Sequence, residues 1–170
     1  MKKCHLRQVL FLSLAFLIML ILFISSSMTY EQQTSVPFLE KYLANQPFKE
    51  TLSWIHFKYA TGEVSISSLG YYKFVEFFIR KGAHFGTYFL MGLFLYLGLP
   101  YKLKWRVILV VLGAFFYASF DEFHQMLTGG RTPLFQDVML DTFGAIVGIL
   151  IALLCRYIFC SKKVAKKQSI

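Results

Sequence analysis

Four stretches of this chain are almost wholly apolar, at about residues 8–26, 74–99, 105–121 and 137–159. Each approaches or exceeds the length that crosses a hydrocarbon layer of about 30 Å. The second opens on Phe74, Val75, Phe77, Phe78 and Ile79. The third is short, and Trp105 and Tyr117 suit the interfaces that aromatic rings favour. The predicted class is therefore all-α, a polytopic membrane protein with four transmembrane helices in one domain, residues 8–159, and a basic tail, 160–170. Between the first two spans lies a polar-apolar segment, 27–73. There Phe38, Leu39, Tyr42 and Leu43 recur at helical spacing, as do Phe48, Leu52, Ile55 and Tyr59. Pro37 and Pro47 stand near the starts of these stretches, where proline is tolerated. Two short amphipathic helices are expected, followed by a loop or extended piece over 61–69.

Charge gives the predicted spans a direction. Lys2, Lys3 and Arg7 precede the first, Lys102, Lys104 and Arg106 fill the tight second connection, and Arg156, Lys162, Lys163, Lys166 and Lys167 close the chain. These are eleven of the eighteen basic residues, with no Asp or Glu among them. All nine acidic residues fall on the other side, in the outer segments or at the outer ends of the apolar spans. Basic flanks mark the cytoplasmic face, so both termini are expected inside, with 25–80 and 121–137 outside. The net charge of +9 then suits anionic inner-leaflet lipids, and a nucleic-acid partner is not expected. Cys4, Cys155 and Cys160 all fall at the cytoplasmic end, which argues for free, inert thiols rather than a disulfide framework. The first span, basic at its start and followed by Ser25, Ser26 and Ser27, has features of a cleavable signal, but its length favours an uncleaved anchor.

Small residues four apart predict helix contacts at Gly82 and Gly86, Ala114 and Ala118, and Gly144 and Gly148. Trp54 and the aromatic run Tyr71, Tyr72, Phe74, Phe77 and Phe78 suggest an interfacial belt. His56 is expected at the surface. Polar chemistry gathers at the outer ends: Lys81 and His84 on the second span, Asp121, Glu122, His124 and Gln125 on the third, Arg131 in the loop, and Asp137 and Asp141 on the fourth. Asp141 and His84 fall at depths where an unpaired charge costs about 2.5 to 3.5 kcal/mol, so each should face inward to a partner. The structural account pairs Arg131 with Asp121 or Glu122, and Lys81 with Asp137. Three functional accounts stand beside it. His84 and His124 with Asp121 or Glu122 could bind a metal, but no HExxH or paired-Cys pattern accompanies them, and neither a metal nor a cofactor is expected. A carboxylate base with Arg131 and Lys81 on phosphate would make a hydrolase or transferase. A non-catalytic pocket would hold an anionic headgroup, glycan or peptide.

The stretch Ile79-Arg80-Lys81-Gly82-Ala83-His84-Phe85, with Tyr88 following, resembles the first motif of the VanZ-like family. Asp121-Glu122-Phe123-His124-Gln125, then Gly130-Arg131 and Asp137, resembles its second, and Gly144 and Gly148 fit the small residues beyond. The serines at 25–27 are similar to the family's exit from its first helix, and the likeness runs from about residue 8 to 155. It implies a small membrane protein of the bacterial cell envelope, in a family whose namesake is associated with low-level teicoplanin resistance. Carried over residue by residue, it covers Lys81, His84, Asp121, Glu122, Gln125, Arg131 and Asp137. Asp141 stands where the family commonly has asparagine, and Gly129 where proline often precedes the glycine-arginine pair. The expected function is lowered sensitivity to teicoplanin-type glycopeptides through an outer polar pocket. The expected partners are membrane lipids and a lipid-linked wall component or lipoglycopeptide. The alternatives are an enzyme of lipid-linked phosphate or glycan substrates and an oligomeric transporter.

Overall fold

A computed structural model describes residues 2–60, 62–129 and 132–168, with side chains over 5–60, 62–128 and 132–158. Gly130, Arg131 and the side chains of Lys2, Lys3, Lys162, Lys163, Lys166 and Lys167 lie outside the described residues, as do those of Cys4 and Cys160. Helix α1 runs Lys2–Ser26, and the short helices α2 Tyr30–Gln33, α3 Val36–Tyr42 and α4 Lys49–Leu52 follow. Strands β1 Phe57–Tyr59 and β2 Gly62–Val64 come next, then α5 Ile66–Leu69 and the long helices α6 Tyr71–Gly98, α7 Arg106–Gly129 and α8 Phe135–Gln168. The fold is mostly helical, and three helices are long and apolar enough to cross a membrane among the described residues: His5–Ser26, Arg106–Thr128 and Phe135–Ile158. Helix α6 has 28 residues, but Lys73, Glu76, Arg80 and Lys81 load its first turns with charge.

Local chemistry sets the boundaries. Thr29 and Gln32 cap α2 reciprocally, the Gln32 amide donating to Thr29 Oγ1 at 3.3 Å and the Thr29 amide to Gln32 Oε1 at 3.0 Å. Ser65 Oγ accepts the Ser68 amide and starts α5. Gly70, at φ +77°, makes the sharp turn from α5 into α6, a conformation that other residues adopt only under strain.

The connecting segment differs from its sequence pattern. The first amphipathic stretch is the helix Val36–Tyr42, but the second is a single turn, Lys49–Leu52. Beyond it, β1 and β2 pair antiparallel, with Phe57 opposite Val64 and Tyr59 opposite Gly62. The all-α expectation is corrected to that extent. Apolar spacing alone misled, because Tyr59 turns to Asp137 on α8, a contact local periodicity does not encode. The aromatic run at the start of α6 is also no simple belt. Tyr71 and Phe74 are buried, and the Tyr71 hydroxyl donates to the Pro47 carbonyl at 3.0 Å. Trp54 is exposed as expected for an interfacial ring.

Helix α6 packs most extensively on α8, then on α1, and α7 lies against α8. The α6–α8 contact is made by backbone approach. A Cβ on Gly144 would come within 2.5 Å of the Phe85 carbonyl oxygen, and Cβ atoms on Gly148 and Gly92 would strike the Phe89 and Ala145 carbonyls. Ala114 and Ala118 are fully buried in the core. Gly82 and Gly86 have open space where a side chain would go, so that small-residue pair is not a helix contact. Tyr117 ties α7 to α1 by donating to the Met19 carbonyl at 2.5 Å. At the opposite end, Arg106 lies 4.0 Å over the ring of buried Tyr96 and donates to its hydroxyl. The outward faces of α1, α7 and α8 carry exposed Leu, Ile and Phe side chains.

Candidate functional site

Helices α6, α7 and α8 bring their polar turns together at one end of the bundle. The acidic residues sit deeper than the charge pattern implied. Helix α7 continues to Gly129, past the span end expected at about residue 121, so Asp121, Glu122 and Gln125 stand on one unbroken helix. The helix can continue because Asp121, Glu122 and Gln125 turn to the interior and are all buried there. Polar residues that find partners inside do not end a helix.

Two rungs connect α6 to α8. On the outer rung, Lys81 Nζ lies 2.5 Å from both Asp137 carboxylate oxygens. Tyr59, from the hairpin, donates its hydroxyl to Asp137 Oδ1, and Lys81 lies 5.0 Å above the Tyr59 ring. Burial, then the bond to Asp137, raises the Tyr59 phenol well above its ordinary value, so it donates at any physiological pH. One turn deeper, His84 Nδ1 is 3.4 Å from Asp141 Oδ2. Lys81 and His84 thus share a face of α6, and Asp137 and Asp141 a face of α8, as their spacing implied.

On α7, Gln125 Nε2 donates to Asp121 Oδ2 at 3.0 Å. Glu122 Oε2 accepts the Leu134 amide at 2.9 Å and so fastens the chain entering α8 to α7. His84, Asp121 and Asp141 gather, each offering a ligand atom within 4.8 Å of the others. The pair His84 and His124, considered above for a metal, is not what the fold assembles. His124 stacks 4.6 Å from the Phe23 ring, and its Nδ1 lies 2.9 Å from Ser26 Oγ. Ser26, buried at the end of α1, also reaches the Asp121 carboxylate. Arg131 lies outside the described residues, so its place in the cluster is not assigned.

A cavity of about 330 Å³ opens beside the outer rung. Leu69, Phe77 and Leu134 supply apolar wall, and Lys73, Arg80 and Lys81 supply cations. Glu76 and Glu122 also reach it. Glu76 is the buried cavity residue that sequence reasoning passed over. It is 1% exposed and accepts from Tyr30 Oη at 2.9 Å, Thr34 Oγ1 at 2.8 Å and the Ser35 amide at 2.5 Å. A lone carboxylate in the run Phe74–Ile79 was the available signal, since a buried charge demands donors. Those donors lie more than forty residues upstream.

The outer rung makes a measurable contribution. Lys81→Met leaves the half-buried Asp137 with Tyr59 as its remaining side-chain partner among the described residues, and should lower stability by about 2 kcal/mol in detergent. Adding Asp137→Leu should recover part of that loss, with a coupling of about 1–3 kcal/mol in a double-mutant cycle. Additive losses would mean the pair is not coupled.

No curated protein and no solved structure matches the chain. The VanZ/LLP1 family model matches residues 11–156, a range that holds both motifs, both rungs and the glycines of the α6–α8 contact. By that match the chain belongs to the VanZ/LLP1 family, and its apolar helices make it a VanZ-like membrane protein.

Proposed function

We propose that this chain spans the bacterial plasma membrane four times with both termini inside. In this reading its outer cavity takes the polar head of an anionic, lipid-linked envelope component or lipoglycopeptide, and so lowers sensitivity to teicoplanin-type glycopeptides. The cavity carries the proposal. A space of about 330 Å³ with apolar wall on one side and Lys73, Arg80 and Lys81 on the other suits an amphiphile better than a free ion. Helix α6 serves as the fourth span because its charged turns lie beside the cavity, while the rest is apolar and packed between α1 and α8. Helix α1 is retained as an anchor, since Met19, Phe23 and Ser26 bind α7.

Susceptibility of a Gram-positive host expressing wild type, Glu122→Gln, Arg131→Ala or no insert tests this. Wild type should raise the inhibitory concentration of teicoplanin more than that of vancomycin, and both variants should lose the rise at equal protein level. A rise that both variants retain would remove the outer cluster from the function. The enzymatic reading is favoured by one observation: Glu122 borders the cavity beside Lys81, where a base and a phosphate-binding cation would stand. It requires purified protein to turn over a labelled lipid-linked phosphate or glycan, and Glu122→Gln to abolish that turnover.

A further inference from the structure

Below the outer rung, the three helices bury more negative charge than they neutralise. Asp121 and Asp141 are both buried and face a single imidazole, His84. Lys81, the nearest permanent cation on α6, is engaged by both oxygens of Asp137. Asp141 is 1% exposed, yet its Oδ1 has no hydrogen-bond partner among the described residues. Tyr88, one turn from His84 on α6, is fully buried with its hydroxyl likewise unpartnered. Orphaned buried oxygens are uncommon in a folded protein, where such atoms find partners. A cavity of about 20 Å³, bordered by His84 and Asp141, is the size of one water or one ion.

We propose that His84, Asp121 and Asp141 bind one first-row divalent cation, Zn²⁺ foremost. The donor set decides the class: one imidazole nitrogen with two carboxylate oxygens suits Zn²⁺ or Mn²⁺ better than Mg²⁺ or Ca²⁺, which prefer oxygen alone. Three protein ligands with an open fourth position is also the pattern of reactive zinc sites. The separation of 3.4 Å between His84 Nδ1 and Asp141 Oδ2 fits two ligands on one ion. The ligand atoms, within 4.8 Å of one another, reach the ~3.3 Å spacing of a tetrahedral ion by a closure of about 1.5 Å. The supporting shell is present, since Gln125 donates to Asp121 and fixes that carboxylate. The ion satisfies the excess negative charge and offers Asp141 Oδ1 the positive partner it lacks.

The test uses the full chain, purified in detergent through a tag without histidines, stripped by chelator and titrated with Zn²⁺ or Mn²⁺ alone. Wild type should bind one ion per chain and gain thermal stability on doing so. His84→Gln and Asp141→Asn should each weaken binding at least about 10-fold to 100-fold. His56→Gln, on the exposed hairpin approach, should leave it unchanged. No ion bound by wild type, affinity that His84→Gln leaves intact, or equal loss in His56→Gln would each overturn the site. Should Asp141→Asn fail to fold, His84→Gln decides alone, because its side chain is 28% exposed and more easily replaced.

Discussion

Replacing Gly148 with alanine should destabilise the protein by about 1–3 kcal/mol, and replacing it with leucine should prevent native assembly. A Cβ there would strike the Phe89 carbonyl, and would lie 2.9 Å from the Leu93 amide nitrogen and 3.1 Å from the Phe89 carbonyl carbon. All three atoms are backbone, so no rotamer change makes room, and α6 and α8 must move apart. That separation also pulls on the rungs Lys81–Asp137 and His84–Asp141, which span the same two helices. Close backbone approach is a main source of association between apolar helices, because lipid supplies no hydrophobic drive between them. Gly82→Ala and Gly86→Ala serve as controls. Both sites are open, so these changes should be neutral or slightly stabilising, alanine being the better helix former. Unfolding midpoints of the four variants in one detergent check the order. Equal losses at Gly82 and Gly148 would mean that helix flexibility, not packing, sets the glycine requirement.

Glu76→Ala should release the segment between α1 and α3 and lower stability by about 3 kcal/mol. The Glu76 carboxylate accepts from the Tyr30 hydroxyl, the Thr34 hydroxyl and the Ser35 amide. Removing it strips an acceptor from four donors at once, the Ser35 hydroxyl included, and bonds to a charged acceptor are each worth more than neutral ones. The Ser35 amide matters most for the backbone, since Ser35 is the N-cap of α3 and makes no side-chain cap bond of its own. Glu76→Gln keeps the shape and one acceptor oxygen, so its loss should be smaller. Hydrogen exchange at residues 27–42 and limited proteolysis of the same stretch should report the release. Unchanged protection there in Glu76→Ala would show that the segment is held by its apolar contacts instead. Because Glu76 borders the cavity, the variant should also widen its mouth and weaken any ligand held there.

The parts of the site that lie within one helix were visible in the sequence. Lys81 and His84, Asp121 and Gln125, and Asp137 and Asp141 are three or four residues apart, and the helical repeat puts each pair on one face. Of the links between the pairs, Lys81 with Asp137 was expected and is formed, whereas His84 with Asp141 was not paired in advance. Which residue of α8 lies opposite His84 depends on the axial offset of α6 and α8, which the Gly144 and Gly148 contacts set. His124 illustrates the same limit. It shares a helix with Asp121, yet faces Phe23 and Ser26 on α1, almost a hundred residues earlier.

By itself, then, the sequence determined that the chain is built of long apolar helices, where they begin within a turn or two, and that polar groups crowd one end. Those properties follow from local composition and period, and survive any rearrangement of the helices. The tertiary structure decided the rest: the hairpin in place of a second amphipathic helix, the continuation of α7 past Asp121, and the inward turn of Glu76. It also decided the meeting of His84, Asp121 and Asp141 from three helices. Each of these depends on a partner remote in the chain, because a buried polar group is placed by the donor or acceptor that satisfies it, not by its neighbours in sequence.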